Sequence, residues 1–326
     1  MLAQKKSLMK SFWVIVPTYN PGQAEWAKWL NALKEQSWQP QQVLVVDSGS
    51  QDGTQTLTHA EGHTLLEVKS VDFDHGGTRQ WALNTALEAA TQNSPDFVVF
   101  LTQDAILAGP TALQKLLEAF DHPLVAAAYG RQLPKTDATW FEAFARSFNY
   151  PEFPHTVSLA DREKLGIKAC FFSNAFGAYR TQALLDQGGF PIGLPLGEDT
   201  FMAGKLLLSG HSLQYQAQAA VYHSHHYNWL QEFQRMFDTG VFHAQNPWLL
   251  QTFGKPEAEG FRFLKLQWQC LWRHQKTVHP VLGMFQMLTS LGIKWCGYKI
   301  GKAHHLLPKS FGLYFSMYKT IWRKRA

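Results

Sequence analysis

The chain of 326 residues is 45% hydrophobic and 17% charged, which excludes a disordered protein and leaves room for one large α/β domain or two smaller ones. Its 3 cysteines show no C-x-x-C spacing, so the sequence excludes a zinc knuckle and a disulfide framework and favours a reducing compartment. The net charge of +5 fits an anionic partner, whether nucleic acid, phosphorylated substrate or acidic lipid.

Neither a signal peptide nor a membrane span is expected. Residues 1–11 lack the apolar core of a signal peptide. The best candidate for a span, residues 281–300, is interrupted by polar residues that include Gln286 and Lys294. Crossing a bilayer takes roughly 18 uninterrupted apolar residues.

Four short apolar runs in the first third of the chain predict buried strands. They are residues 12–17, 42–46, 64–69 and 96–101. A segment with helical spacing follows each run, and this alternation predicts a parallel sheet with helices on both faces. Ligands bind beyond the carboxyl ends of the strands in such sheets, so the polar residues after the four runs are expected to share one cleft.

The pattern is weaker between residues 132 and 170, which is typical of a substrate-facing insertion. Regular spacing returns in a helix near 181–186, a helix that begins at Glu198 and a strand before His223. Beyond Trp229 the pattern is helical and rich in Trp, Phe, Lys and Arg.

The segment D-F-D-H-G-G-T-R, residues 72–79, stands at the start of a predicted helix. A helix N-terminus offers free backbone N–H groups and the positive end of the helix dipole, and glycines allow close approach. His75 and Arg79 add hydrogen bonds or charge, so the segment is a candidate anion site. A surface turn is the alternative.

Two segments resemble the nucleotide-binding half of family 2 glycosyltransferases, which have the GT-A fold. They are V-I-V-P-T-Y-N at 14–20 and V-V-D-S-G-S-Q-D-G-T at 45–54. The resemblance implies an α/β fold with a mostly parallel GT-A sheet flanked by helices. The implied domains are a catalytic domain at 1–228, with a nucleotide-binding half at about 10–130 and an acceptor-side half at about 131–228, and a C-terminal helical region at 229–326.

Several residues match donor-binding positions of this family. Asp47 matches the residue that hydrogen-bonds the pyrimidine ring of a nucleotide sugar. The segment F-D-H-G-G-T-R resembles that of bacterial rhamnosyltransferases, in which it faces the donor diphosphate. The donor-binding residues implied are Pro17, Thr18, Tyr19, Asp47, Asp74, His75, Arg79, Gln103 and Asp104.

The fourth run ends in L-T-Q-D-A, where most relatives carry Asp-x-Asp for a divalent cation. Thr102 stands at the first position and Asp104 at the second, and T-Q-D-A resembles the rhamnosyltransferase variant. Alternation along an extended segment places His223 and His225 on one face, which makes them candidate further ligands, with His225 favoured. A polar strand end is the alternative. The expected cofactor is Mg²⁺ or Mn²⁺.

The acidic pair Glu198-Asp199 opens a predicted helix, a place where carboxylates ordinarily complement the helix dipole. The resemblance implies instead that Asp199 is the catalytic base, which takes the proton of the acceptor hydroxyl, and that Glu198 supports it. Ser173 and Asn174 lie in a segment that the family places beside the donor sugar and the acceptor.

Together these matches imply an inverting glycosyltransferase that moves L-rhamnose from dTDP-rhamnose to a saccharide acceptor in bacterial surface polysaccharide synthesis. A transferase for another UDP-, GDP- or dTDP-sugar is the alternative within the class. A nucleotide-binding oxidoreductase would lack its G-x-G-x-x-G spacing. A basic nucleic-acid-binding protein would leave Asp47, Asp104 and Asp199 without a purpose, so no nucleic acid is expected as a partner.

Basic and aromatic residues are interleaved in the C-terminal hundred residues, as in helices that lie in the headgroup layer of an anionic membrane. The basic residues are Lys265, Arg273, Lys276, Lys294, Lys299, Lys302, Lys309, Lys319, Arg323, Lys324 and Arg325. The aromatic residues are Trp268, Trp272, Trp295, Phe311, Tyr314, Phe315, Tyr318 and Trp322. We expect a cytoplasmic enzyme, peripheral on the inner face of the membrane, that meets a lipid-linked saccharide acceptor. Packing against the catalytic part or a second subunit is the alternative.

Overall fold

A mixed β-sheet runs through the part of the chain between Phe12 and Tyr222. The computed structural model describes residues 10–90, 94–255, 257–273, 279–308 and 310–323. The strands are β1 Phe12–Thr18, β2 Gln42–Asp47, β3 Thr64–Glu67, β4 Phe97–Leu101, β5 Ile106–Leu107, β6 Val125–Leu133, β7 His155–Val157, β8 Phe176–Arg180 and β9 Ser212–Tyr222.

Helices follow most of these strands, and beyond Asn228 the described residues form helices joined by short connections. They are α1 Gln23–Lys34, α2 Thr54–Ala60, α3 His75–Ala89, α4 Ala112–Glu118, α5 Trp140–Asn149, α6 Arg162–Leu165, α7 Thr181–Asp186, α8 Glu198–Leu208, α9 Trp229–Gln245, α10 Pro247–Phe253, α11 Glu257–Arg273, α12 Pro280–Lys302, α13 Ser310–Phe315 and α14 Lys319–Arg323. Among the described residues, no helix is long and apolar enough to cross a membrane.

The sheet has the order β3-β2-β1-β4-β8-β6-β9-β5, and β7 pairs with β9. Strands β1 to β4 run parallel, whereas β8 is antiparallel to both β4 and β6. The α/β class and the parallel first half of the sheet confirm the sequence prediction. The antiparallel β8 was not predicted, because a fully buried strand has the same continuous apolar pattern in either direction.

Alternation along the strands divides the core into two layers. On β1, Val14 and Val16 pack with α1 and α4 on one face, while Ile15 packs with α3 and α8 on the other. Both faces of the central strands are therefore covered, and this explains why these strands read as continuous apolar runs. What remains accessible is the carboxyl edge, where Thr18 stands beside Asp47 in register.

Strand β3 is shorter than predicted. It ends at Glu67, and a 3₁₀ turn at Ser70–Asp72 separates it from α3. Asp74 caps α3 through its side chain, which accepts a hydrogen bond of 2.6 Å from Gly77 N. The apolar pattern could not show this end, because Val68 is also apolar although it lies outside the strand.

Helices α9 and α12 pack with their backbones in contact. A Cβ added at Gly297 would lie 2.5 Å from Phe233 O, and one added at Gly301 would overlap Phe237 O. Gly240 on α9 meets the backbone of α12 in the same way. Glycine is therefore required on both helices, and the predicted C-terminal helical region is anchored through this crossing.

Gly301→Ala is expected to lower the melting temperature, because an added methyl in a filled contact costs about 1–3 kcal/mol. Gly292 on the same helix is the matched control, because nothing lies within 4 Å of a Cβ added there. Gly292→Ala should be neutral or stabilising. Thermal unfolding followed by circular dichroism measures both variants, and equal melting temperatures would contradict the backbone contact.

Candidate active site

Polar residues collect at the carboxyl edge of the parallel strands, as predicted. Asp47, the last residue of β2, is completely buried. Thr18 Oγ1 donates to Asp47 Oδ1 over 2.9 Å, and Gln55 Nε2 donates to Asp47 Oδ2 over 2.8 Å. Ser50 donates to both oxygens, through its backbone N–H and its hydroxyl. Asp47 thus organises the loop after β2.

Burial alone would raise the pKa of Asp47, but the hydrogen bonds from Gln55, Ser50 and Thr18 outweigh it and hold the pKa below its ordinary value. Asp47 is therefore a carboxylate at neutral pH. Its contact with a pyrimidine ring stays a prediction, and such a contact would add a further donor to oxygens that already accept several.

Tyr19 and Gln103 lie at the more exposed part of this carboxyl edge. Tyr19 N donates to Gln103 Oε1 over 2.7 Å, and Gln103 Nε2 donates to Tyr19 O over 3.2 Å. The paired hydrogen bonds fix the loop after β1 against the end of β4. The Tyr19 side chain is 54% exposed, so its ring remains available to a planar ligand.

The segment at the start of α3 is packed more tightly than the sequence suggested. Asp74 accepts from Gly77 N and also from Gly193 N, the latter over 2.7 Å. A Cβ added at Gly76 would overlap Pro191 O. The glycines therefore let α3 approach the loop that precedes α8, and Asp74 serves as a helix cap and loop anchor in this structure.

Arg79 does not occupy the open position that the motif predicted. The side chain is 3% exposed, and its Nη1 donates to His75 O over 2.7 Å and to Glu198 Oε1 over 3.2 Å. The Arg79–Glu198 ion pair ties the donor segment to the start of α8. Direct contact with a diphosphate would require this buried pair to separate, so the structure gives Arg79 a positioning role.

His75 lies at the rim of the same segment. Its ring meets the Tyr318 ring edge to face with centroids 4.4 Å apart, and Nε2 is buried without a hydrogen-bond partner among the described residues. Burial lowers the pKa of His75 to about 4, a shift that Glu198 opposes and Arg79 and Arg235 reinforce. His75 is thus neutral at physiological pH.

The two neighbouring carboxylates at the start of α8 have opposite environments. Glu198 is buried and accepts from Arg79 and from Asn174 Nδ2, the latter over 3.2 Å. Asp199 is half-buried and accepts from Thr200 N over 2.7 Å and from Asn174 N over 3.3 Å. Only Asp199 keeps an accessible carboxylate.

The pKa values of the pair diverge. Burial and the neighbouring Glu198 charge raise the pKa of Asp199 to about 7. Burial would also raise the pKa of Glu198, but the Arg79 charge and the hydrogen bond from Asn174 lower it below its ordinary value. A carboxylate with a pKa near the working pH suits a general base, and a permanently ionised neighbour suits a support.

We expect kcat/KM to fall about tenfold per pH unit below pH 7, because protonated Asp199 cannot accept a proton. Initial rates at subsaturating donor between pH 5.5 and 8.5 measure this. Stability measured over the same range separates loss of activity from unfolding. A profile that stays flat down to pH 5.5 would show that no group with this pKa is needed.

Asp104, His223 and His225 form the candidate metal centre. One ligand atom from each residue lies within 4.8 Å of the other two. His223 Nε2 is 3.2 Å and His225 Nδ1 is 3.5 Å from Asp104 Oδ2. The structure brings together both histidines that the sequence proposed, whereas His226 faces away towards Asp137 and Glu142.

The orientation of the His223 ring suits a cation at this centre. His223 Nδ1 lies 2.9 Å from Gln132 Oε1, and Arg146 donates to the same oxygen, which identifies that atom as an acceptor. Nδ1 is therefore the ring atom that donates to Gln132, and Nε2 is the ring atom that faces Asp104. A histidine ligand commonly binds a metal through one ring nitrogen while the other donates a hydrogen bond to a neighbouring oxygen.

Ser173 and Asn174 connect the metal centre to the base. Gln132 Nε2 donates to Ser173 Oγ over 2.9 Å, and Asn174 bonds both Glu198 and Asp199. Asn174 is 2% exposed, and its place beside the donor sugar and the acceptor stays a prediction. The peptide bond between the two residues joins the hydrogen bonds that lead from Asp104 through His223 and Gln132 to those that hold Glu198 and Asp199.

Four residues of the cleft were missed by sequence reasoning: Gln132, Arg146, Arg235 and Tyr318. Gln132 carried a signal, since it is a lone polar residue in a strand that reads V-A-A-A-Y-G-R-Q-L. Arg146 and Arg235 are single charges among many on their helices, and Tyr318 is one of many rings in the C-terminal region. Their place in the cleft depends on packing between distant parts of the chain.

The mixed sheet and the carboxylates and histidines at its edge define a GT-A glycosyltransferase. The sequence model described as "Glycosyl transferase family 2" matches residues 13–187, more than half of the chain. The chain belongs to this family, which confirms the resemblance and decides for the glycosyltransferase among the classes left open.

Two relatives from Salmonella are similar over nearly the whole chain. The O-antigen chain rhamnosyltransferase WbaN of Salmonella anatum is 44% identical over 96% of this chain and 96% of its own. The O-antigen chain rhamnosyltransferase RfbN of Salmonella typhimurium is 44% identical over 95% of each chain.

Solved structures share the fold at low identity. The mannosyltransferase PcManGT from Pyrobaculum calidifontis, in complex with GDP-Man and Mn²⁺, has a TM-score of 0.54 and 17% identity, over 98% of this chain and 87% of that one. Residues 1–349 of S. aureus TarS give a TM-score of 0.53 and 16% identity over 91% of both chains. These likenesses show the fold alone.

Proposed function

We propose that the protein is an inverting rhamnosyltransferase that moves L-rhamnose from dTDP-rhamnose to a growing surface polysaccharide of the O-antigen type. The near full-length similarity to two O-antigen chain rhamnosyltransferases supports the sugar and the pathway class. The observation that carries the chemistry is the accessible Asp199 carboxylate, with a pKa of about 7, beside the ionised Glu198.

Asp199 takes the proton of the acceptor hydroxyl while that oxygen attacks the anomeric carbon. The nucleoside diphosphate leaves from the opposite face of the sugar, so the anomeric configuration inverts. Glu198 keeps its charge through Arg79 and Asn174, and this charge maintains the basicity of Asp199.

The residues that fit a divalent cation are Asp104, His223 and His225. PcManGT, which shares the fold, was solved with Mn²⁺ and a nucleotide sugar. When bound, the cation neutralises charge on the donor diphosphate. We expect Mn²⁺ to serve better than Mg²⁺, because two of the three ligands are imidazoles and Mg²⁺ prefers an octahedron of oxygens.

A donor panel tests the proposal. Purified protein is incubated with UDP-, GDP- and dTDP-sugars and a saccharide acceptor, with Mn²⁺, with Mg²⁺ or with EDTA, and released nucleotide is measured. We expect dTDP release from dTDP-rhamnose that requires acceptor and cation. Turnover of a UDP- or GDP-sugar in preference would reject the rhamnosyl donor while leaving the enzyme class in place.

Peripheral membrane association is part of the proposal, and α12 is the surface that supports it. Exposed apolar side chains recur on this helix at spacings of three and four residues. They are Val281, Leu282, Phe285, Leu288, Leu291 and Trp295. No acidic residue follows Glu259 in the sequence, so this face belongs to a uniformly basic part of the chain. The basic residues Lys276, Lys309, Lys324 and Arg325 lie outside the described residues.

Flotation with liposomes of increasing anionic lipid content tests this surface. Phe285→Glu should reduce flotation, because the ring is 61% exposed on α12. Phe153→Glu is the matched control, since that ring is 79% exposed in the first half of the chain. Failure of the wild type to float at low salt, or equal loss in both variants, would contradict docking through α12.

A further inference from the structure

The motif predicts that the positive charge of Arg79 faces the donor diphosphate. In the structure this charge has a partner within the protein. Arg79 is buried and paired with Glu198, so its charge is already balanced inside the protein. Asp104 is itself anionic. A nucleoside diphosphate carries two to three negative charges, and binding it beside carboxylates requires a cationic side chain as well as a metal ion.

Arg235 on α9 is such a side chain. It is exposed, and its guanidinium carbon lies 5.7 Å from the centroid of the Tyr227 ring. Among the described residues, no carboxylate oxygen forms a salt bridge with it. An exposed guanidinium that rests on a ring and has no carboxylate partner is suited to bind an external anion.

Contacts through Tyr227 place Arg235 beside the metal centre. Arg235 Nη1 lies 3.5 Å from Tyr227 Oη, and the Tyr227 ring stacks on the His225 ring with centroids 5.1 Å apart. The pKa shifts of His225 and His75 agree with this position, since the Arg235 charge contributes to lowering both. Arg235 therefore lies at the candidate site, although it belongs to a helix beyond residue 187, where the family match ends.

Tyr318, in the connection between α13 and α14, also lies at this site. Tyr318 lies against the His75 ring with centroids 4.4 Å apart and interacts electrostatically with Arg235. The turn before Tyr318 is held by Asp238, which is completely buried on α9 and accepts from Met317 N over 2.9 Å. The position of Tyr318 is thus fixed from the same helix that carries Arg235.

We propose that Arg235 binds the phosphates of the donor and of the leaving nucleoside diphosphate, and that Tyr318 positions His75 beside it. The inference rests on the proposed nucleotide-sugar transfer and deepens it. Charge-assisted hydrogen bonds from a guanidinium to phosphate oxygens hold the diphosphate group as the glycosidic bond breaks. The C-terminal helical region then supplies part of the donor site.

Calorimetric binding of dTDP, UDP, GDP and thymidine to the full chain, in the presence of Mn²⁺, tests the assignment. Arg235→Ala should lower the affinity for the nucleoside diphosphate that the wild type binds by about 10- to 100-fold, which is the loss expected for a hydrogen bond to a charged group. Thymidine affinity should not change, because it carries no phosphate. Arg235→Lys should recover part of the loss, since it keeps the charge but not the planar fork.

Arg262→Ala is the matched control. Arg262 is exposed on α11 and its charge is paired with Glu259, so this variant makes the same change in net charge at an arginine that already has a carboxylate partner. Raising the salt concentration should weaken diphosphate binding in the wild type and in Arg262→Ala more than in Arg235→Ala. A melting temperature for each variant confirms that it is folded.

The outcomes separate the two proposals. If the wild type binds dTDP and Arg235→Ala binds it equally well, Arg235 is not a phosphate ligand, although the proposed donor stands. If the wild type binds UDP or GDP instead of dTDP and Arg235→Ala weakens that binding, the proposed donor is wrong and Arg235 is a phosphate ligand. If no nucleoside diphosphate binds, both fail.

Two variants test Tyr318: one removes only its hydroxyl, and the other removes the whole ring. Tyr318→Phe should keep diphosphate affinity, since the edge-to-face contact with His75 needs only the ring. Tyr318→Ala should raise the KM for the donor with a smaller effect on kcat, and Tyr314→Ala, a 74% exposed ring on the adjoining helix, should change neither. Equal KM values for Tyr318→Ala and the wild type would remove Tyr318 from the donor site.

Discussion

Asp199→Asn is expected to reduce kcat by about 10²- to 10⁴-fold, because asparagine keeps the shape of the side chain and cannot accept the acceptor proton. Affinity for dTDP should change little, since Asp199 is not among the groups assigned to the diphosphate. The amide oxygen can still accept from Thr200 N, which holds the rotamer seen in the structure. Single-turnover rates with saturating donor and acceptor measure the chemical step directly.

The control for this variant is Glu198→Gln. It removes the charge that raises the pKa of Asp199 and breaks a buried pair with Arg79, so it should shift the pH profile to lower pH and reduce stability. Its kcat at high pH should remain well above that of Asp199→Asn. If Glu198→Gln lowered kcat more than Asp199→Asn, Glu198 would be the base and Asp199 its support.

Removing one ligand of the metal centre is the second change with a large expected effect. Asp104→Asn and His225→Ala should each raise the cation concentration that gives half-maximal activity by roughly 10²-fold, at least the loss seen when outer-shell partners of metal ligands are changed. EDTA should abolish turnover of the wild type, and added Mn²⁺ should restore it. Initial rates across a Mn²⁺ titration measure this.

His226→Ala is the matched control in the same segment. His226 pairs with Asp137 and Glu142 outside the cluster, so its loss should leave the cation dependence unchanged. Full activity of the wild type in EDTA would show that the cluster has no cation to hold. An equal effect of His225→Ala and His226→Ala would place the ligands elsewhere.

The sequence predicted the parallel half of the fold because β1, β2 and β4 are almost completely buried and helices separate the strands along the chain. The end of β3 and the antiparallel direction of β8 could not be predicted. An apolar run indicates that a strand is buried, but it indicates neither the direction of the strand nor its pairing partner. The helix at Thr181–Asp186 and the start of α8 at Glu198 were predicted at the right residues, because turn-forming glycines flank them.

The sequence named candidate site residues but could not give most of their contacts. The histidines of the metal centre could be paired by alternation alone, since they are two residues apart on an extended segment. The burial of Arg79 could not be predicted, because its partner Glu198 lies 119 residues further along the chain. Whether an arginine faces a ligand or a carboxylate is decided by which distant element folds against it.

The contact between Tyr318 and His75 bears on how such enzymes can be recombined. A chimera joined at residue 228 would combine the donor loop of one parent with the closing helices of another, and the ring pair would then have to be complementary across parents. A junction that keeps residues 70–80 and 229–323 from the same parent preserves it.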